Sequence, residues 1–277
     1  MSATDRFQPG VMIWAERDEL SLVTDLGLNY AQLGIPGGMQ LRNSCADEWK
    51  QMLADAAVTV VTVFAAYDGE DYADIPTVQR TVGFIPPATR ASREARTLAV
   101  SDFAARIGVN SIACHIGFVP EDPTHPDYLA VRSMVRRVCD HAAKHCQTFA
   151  LETGQEPAEV LLRFIADVDR PNLRINFDPA NLILYGTGEP IAALRELAPL
   201  VISVHCKDGD WPPAGVAGAL GMERALGDGS VGIPRFVETL RELGFPGPLN
   251  VEREAEDPQQ RLGDLAAGVD LLRSLIG

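Results

Sequence analysis

The chain has 277 residues, with 24 Lys plus Arg against 38 Asp plus Glu, a formal net charge of −14 and 46% hydrophobic residues. That length suits one large α/β unit or two smaller ones and buries on the order of 70–75% of the unfolded surface without staples. General disorder is excluded by composition, and the acidic balance argues against a nucleic-acid or anionic-membrane partner, whose phosphates it would repel.

Met1 to Gly10 carries neither an apolar run nor a basic start, so no signal peptide is expected there. No stretch approaches the ~18 apolar residues of a membrane span. The five cysteines, Cys45, Cys114, Cys139, Cys146 and Cys206, form no CxxC pair. Free thiols in a cytoplasmic protein are the expectation.

Short β-branched runs alternate with longer stretches of helical period. In chain order, strands are predicted at Val11–Trp14, Tyr30–Leu33, Val58–Phe64, Ser111–Ile116, Thr148–Leu151, Leu173–Phe177, Val201–His205 and Leu249–Glu252. Helices are predicted at Arg17–Leu28, Asp47–Ala57 after a Ser44 cap, Arg90–Ile107, Asp127–Cys146, Ala158–Val168, Ile191–Leu197, Arg235–Leu243 and Gln259–Leu275. Proline near the first turn and glycine after the last mark several of these boundaries. Eight β-then-α units predict an α/β fold, a single (β/α)8 TIM barrel spanning residues 1–277. An open doubly wound sheet is the runner-up, but no GxGxxG follows the first strand. Two irregular stretches, Ala66–Pro87 and Lys207–Gly232, directly follow strands and are expected at the catalytic face.

Functional side chains of such a barrel sit at the C-terminal strand ends. Strands five to eight end in Glu152, Asp178, His205 and Glu252. Taken alone, each has an ordinary explanation, such as a helix cap for Asp178 or a core histidine for His205. Together they are three carboxylates and an imidazole on neighbouring strands, a set unfavourable to bury without a cation. Oxygen-rich ligands with one nitrogen suit one divalent ion, Mn²⁺ first, then Mg²⁺, Co²⁺ or Zn²⁺.

The segments LETGQE, NFDPANLILYG, VHCKD and LGDGSVGIPRFVETLRELGFPGPLNVERE, which cover about the last half of the chain, resemble the xylose-isomerase-like barrel superfamily of sugar isomerases and epimerases. The resemblance implies that Glu152, Asp178, His205 and Glu252 hold one metal, and that Glu152 and Glu252 are the catalytic pair on opposite sides of a substrate. Proton removal next to a ketone then leads through a cis-enediolate to epimerisation or isomerisation. Ketose 3-epimerases usually carry a histidine where this chain has Asn181 and an arginine where it has Trp211. His115, Asn181, Lys207, Trp14 and Trp211 are candidates for substrate binding, with Gln32 a further pocket candidate. Lys207 is equally suited to pairing with Asp208. The DNA-repair endonucleases of the superfamily need more histidines and a basic surface than this chain has.

The sequence therefore predicts an enzyme acting on a small, unphosphorylated ketose or polyol. The glycines of Leu226–Gly232 could offer amides to a phosphate, but a plain loop is the simpler reading. Two alternatives stay open: a lyase that cleaves 3-keto-glycosides, C-glycosides included, by β-elimination, and a non-catalytic metal- or sugar-binding barrel. A homo-oligomer stays open as well, as does a small partner subunit in the lyase case.

Overall fold

The computed structural model describes residues 7–277; the first six, which belong to the stretch expected to hold no signal peptide, lie outside the described residues. The elements run β1 (Pro9–Trp14), α1 (Arg17–Asp25), β2 (Tyr30–Ile35), α2 (Asn43–Asp55), β3 (Thr59–Ala65), α3 (Ile75–Thr81), α4 (Arg90–Ile107), β4 (Ser111–Cys114), α5 (Pro126–Ala143), β5 (Thr148–Glu152) and α6 (Ala158–Val168). They continue with β6 (Leu173–Phe177), α7 (Pro179–Leu184), α8 (Pro190–Leu197), β7 (Val201–Cys206), β8 (Asp208–Asp210), β9 (Met222–Arg224), α9 (Ile233–Glu242), β10 (Leu249–Val251) and α10 (Pro258–Ile276).

Strands β1 to β7 and β10 close into a barrel, with β10 lying between β7 and β1. Every pairing within it is parallel. This is the expected (β/α)8 architecture. Strand side chains alternate between two faces. The outward set, including Val11, Ile13, Leu33, Ile35, Phe149, Leu151, Ile175, Phe177, Val204 and Val251, joins the helices in one large apolar core. The inward set has a much smaller apolar cluster, of Met12, Phe64, Ala113 and Ala150 with Ile202 against it.

Polar side chains fill the barrel beneath that cluster. Gln32 Nε2 donates to Asn176 Oδ1 at 3.0 Å, and Ser203 Oγ donates to the same oxygen at 2.6 Å. All three residues are buried. The same alternation that sends Phe149 and Leu151 outward sends Glu152 inward, and it does likewise for His205 between Val204 and Cys206.

The structure differs from the sequence reading at several ends. Helix α1 stops at Asp25 rather than Leu28, because Gly27 takes a left-handed φ of 65°. Helix α2 starts at Asn43 with Arg42 in the cap position, which places Ser44 in the first turn rather than at the cap. Strand β4 ends at Cys114 and β10 at Val251, so His115 and Glu252 stand just beyond the ladder. The two stretches read as irregular contain α3 and the antiparallel β8–β9 hairpin. These meet: Ile75 N–H donates to Gly218 O at 3.0 Å.

Gly83 seats the loop after β3 against the segment that carries His115. Its φ is 68°, and a Cβ there would lie 2.0 Å from the Ile116 carbonyl carbon. Its N–H donates to Glu70 Oε1 at 2.8 Å, and the next residue, Phe84, donates its N–H to Ile116 O at 2.8 Å. Gly83→Ala is expected to destabilise the fold by more than about 2 kcal/mol, through backbone strain and a clash with main chain that cannot retreat. Urea denaturation would read this as a lowered midpoint, and an unchanged midpoint would contradict the packing described.

Candidate metal centre

Four strand ends bring Glu152, Asp178, His205 and Glu252 together. One donor atom from each lies within 4.8 Å of the other three. Nδ1 of His205 is the hub, at 2.7 Å from Glu152 Oε1, 2.9 Å from Glu252 Oε2 and 3.5 Å from Asp178 Oδ2. None of these contacts has hydrogen-bond geometry. His205 Nδ1 and Nε2, Asp178 Oδ2 and Glu252 Oε2 are all buried polar atoms without a partner. Orphaned buried donors and acceptors are costly. Donor atoms that crowd together yet do not bond to one another form an arrangement that a common ion would satisfy. The residues therefore fit a divalent cation.

Local structure explains how Asp178 serves. It follows β6 and caps α7, with Oδ1 accepting from Ala180 N–H at 2.8 Å and Asn181 N–H at 3.0 Å. The other oxygen, Oδ2, is left facing the centre. The cap therefore uses one oxygen of the carboxylate and leaves the other available to a cation, so the two roles do not compete. The His205 ring is held from the side by Phe64, with centroids 5.0 Å apart.

Electrostatics follow from burial and crowding. Burial pulls the His205 imidazole down, but Glu252 and Glu152 outweigh it and hold the group well above its usual value. Burial pushes the Glu152 carboxyl up, but His115 and His205 outweigh that and hold it well below the usual carboxylate range. His115 Nε2 stands 2.7 Å from Glu152 Oε2. Burial opposes its charge too, and Glu152 raises it nonetheless to about 9.

Lys207 is 5% exposed and sits 3.3 Å from Glu252 Oε2 and 3.4 Å from Glu254 Oε2, with Glu223 and Asp178 at 4.0 Å. These acids, Glu252 foremost, overcome its burial and keep its ammonium well above the ordinary lysine value. Its suggested partner Asp208 is engaged elsewhere, accepting N–H bonds from Gly209, Gly227 and Val231 at 2.9–3.0 Å. Two amides of the glycine-rich 226–232 loop are thereby spent on a carboxylate.

A cavity of about 320 Å³ opens above the centre, within the range of small-molecule sites. Among the residues proposed for substrate binding, Trp14, His115, Asn181 and Lys207 line it. Trp14 lies over Gly34, where a Cβ would come within 2.6 Å of the indole. Trp211 does not join them: it follows β8, is 40% exposed and is absent from the lining. Gln32 is not in the pocket either; it is fully buried on the barrel axis, bonded to Asn176. Sequence reasoning missed Glu70, Tyr72, Tyr185, Glu223 and Glu254, all of which line the cavity. Glu254 was findable, two residues past Glu252 in LNVERE. Glu223 lies on a hairpin strand within a stretch that carried no strand signal.

The description "Xylose isomerase-like TIM barrel" matches residues 20–275. The chain belongs to that family. A crystal structure of a xylose isomerase domain protein from Planctomyces limnophilus is 45% identical, with a TM-score of 0.94 over 98% of this chain and 97% of that one. A D-tagatose 3-epimerase-like protein shares the fold at 15% identity, with a TM-score of 0.74 over 98% and 97% of the two chains. A rhizopine catabolism protein of Rhizobium meliloti is 36% identical over 94 residues, a stretch that is 30% of this chain and 28% of that relative. Among the described residues, no helix is long and apolar enough to cross a membrane.

The split duty of Asp178 is testable. Asp178→Asn keeps an oxygen for the α7 cap but removes the anionic ligand, so Mn²⁺ affinity by calorimetry should fall more than about tenfold with stability little changed. Asp178→Ala should lose the affinity and, in addition, about 1 kcal/mol of cap stabilisation. Equal Mn²⁺ affinity in all three proteins would remove Asp178 from the ligand set.

Proposed function

We propose that this protein is a divalent-metal-dependent sugar isomerase or epimerase, acting on an unphosphorylated ketose or polyol by proton transfer next to a ketone. The observation that carries the reading is the convergence of Glu152 and Glu252 on His205 Nδ1, at 2.7 and 2.9 Å, at the floor of a sugar-sized cavity. Glu152, Asp178, His205 and Glu252 would hold the ion, Mn²⁺ or Mg²⁺ by donor type. When bound, such an ion supplies Lewis acidity, which polarises a ketone and acidifies the neighbouring C–H.

The chain's own groups do the rest. One glutamate carboxylate accepts the proton of that C–H. The other returns a proton to the opposite face of the same carbon, which inverts it. Return to the adjacent carbon instead exchanges aldose and ketose. His115 holds the second oxygen of Glu152 at 2.7 Å and fixes that carboxylate's orientation. Lys207 does the same for Glu252 and presents N–H donors to a substrate hydroxyl in the cavity.

Charge supports a neutral substrate. Glu70, Glu152, Glu223, Glu252 and Glu254 line the cavity, and Lys207 is the one Lys or Arg among its lining residues. A phosphate dianion would meet net repulsion there. The ketose class is also supported by the name of the D-tagatose 3-epimerase-like neighbour.

A second reading uses the same floor. Trp14, Tyr72 and Tyr185, with Leu184 and Leu220, give the cavity an apolar wall beside its polar floor. An aromatic aglycone would pack there. In a 3-keto-glycoside, the electron pair left behind by the abstracted proton forms a double bond to the adjoining carbon, and the aglycone leaves that carbon with its bonding pair, giving β-elimination.

Incubation in D₂O with free ketoses and Mn²⁺ should place deuterium on the carbon next to the carbonyl. Glu152→Gln and Glu252→Gln, compared at measured metal occupancy, should each slow this about 10²–10⁴-fold. Exchange that survives both substitutions would overturn the two-glutamate account. Release of aglycone from a 3-keto-glycoside, with no ketose exchange, would select the lyase.

A further inference from the structure

The barrel centre uses two of the five histidines. Two others meet on the outside of the barrel. His141 lies in the last turn of α5, and His145 follows four residues later. The chain beyond α5 stays coiled: His145 N–H donates to Ala142 O at 3.0 Å and Cys146 N–H to Ala143 O at 3.1 Å. A left-handed φ of 56° at Cys146 then ends the turn. This puts both imidazoles on one face, their centroids 5.5 Å apart.

Both rings point at Asp102 of the neighbouring α4. Oδ1 of that carboxylate lies 2.7 Å from His141 Nε2 and 2.9 Å from His145 Nε2. One donor atom from each of the three residues lies within 4.8 Å of the others. The side chains are 20%, 34% and 58% exposed for His141, His145 and Asp102, which leaves room for water to complete a coordination shell.

Buried neighbours hold this geometry in place. Gln147, two residues past His145, is 1% exposed, and Ser101, next to Asp102, is fully buried. Ser101 Oγ donates to Gln147 Oε1 at 2.6 Å, while Gln147 Nε2 donates to Ser101 O at 3.1 Å and to Val109 O at 2.9 Å. The two sides of the trio are therefore clamped together from beneath. Preorganisation of this kind lowers the cost of binding.

We propose that Asp102, His141 and His145 form a second metal site, which binds a transition-metal dication and ties α4 to α5. Two imidazole nitrogens and one carboxylate oxygen select Zn²⁺, Ni²⁺ or Cu²⁺ over Mg²⁺ or Ca²⁺. The site lies beside the turn that leads into the start of β5, at the end of the barrel opposite the cavity. That is the face whose residues serve stability. An ion that binds the folded state alone raises stability by mass action.

The test uses zinc itself. Cys146 is an exposed free thiol beside His145, so the full chain is prepared as Cys146→Ser to remove a competing ligand. Zinc bound per chain is counted by atomic emission after gel filtration, with and without His145→Ala or His141→Ala. Each histidine variant should carry one zinc ion fewer per chain, and zinc should raise the melting temperature less than in the Cys146→Ser parent. Proton exchange on substrate should be unchanged. His125→Ala, a control outside the trio, should lose no ion. The difference reads out whether or not the barrel centre also takes zinc, and circular dichroism confirms that the variants fold. Equal zinc content in parent and histidine variants would overturn the proposal and leave the trio as a hydrogen-bonded tie between helices.

Discussion

Three carboxylates converge on one imidazole at the floor of a buried cavity, and the negative charge they bring has to be offset. Asp178 is 0% exposed and Glu152 6%, so bulk water cannot screen them. Charges in such a setting cost several kcal/mol each unless paired. Without an ion, protons on His205 and His115 supply part of the compensation, which is why both imidazoles are held above their usual values. A dication would do the same work with better geometry, since it can take up three buried donor atoms that have no partner, His205 Nδ1, Asp178 Oδ2 and Glu252 Oε2. The chemistry proposed for the site follows from that constraint, because a fixed cation beside two carboxylates is also a means of removing a proton next to a ketone.

Much of the surrounding structure serves the same charge balance. From Glu252 an alternating chain of charge runs outward: Lys207 at 3.3 Å, then Glu223, then Arg253 at 2.9 Å, then Asp264 at 2.8 Å. The β8–β9 hairpin supplies Glu223, and the hairpin is itself held down by Asp208, whose carboxylate takes the amides of Gly209, Gly227 and Val231. Beneath the site, Gln32, Asn176 and Ser203 form a buried hydrogen-bonded layer within the barrel. The loops after β3 and β7 both line the cavity, and Ile75 N–H to Gly218 O ties them to each other.

The barrel was legible in the sequence because its signals are local. Parallel strands carry outward Val, Ile and Leu at every second position, and prolines and glycines mark helix ends. The four candidate ligands were legible for the same reason: each is an inward position at the C-terminal end of an apolar strand. What stayed hidden depends on long-range placement. Glu223 reaches the cavity only because Asp208–Asp210 pairs with Met222–Arg224, a register that no apolar period announces. Trp211 is a site candidate only because it stands where ketose 3-epimerases carry an arginine, yet it follows β8 and is exposed outside the cavity. Gln32 looked like a pocket residue at a strand's middle, but it lies below the cavity in the polar layer. Asp178 shows the reverse case: the sequence offers a helix cap or a ligand as alternatives, while in the fold Oδ1 makes the cap and Oδ2 stays free toward the centre.

The most direct measurement of the central claim is an anomalous difference map from crystals of this protein grown with Mn²⁺. The account predicts a strong peak at the barrel centre, about 2.0–2.2 Å from donor atoms of Glu152, Asp178, His205 and Glu252. A map with no peak among these four side chains, at a Mn²⁺ concentration that supports turnover, would contradict it.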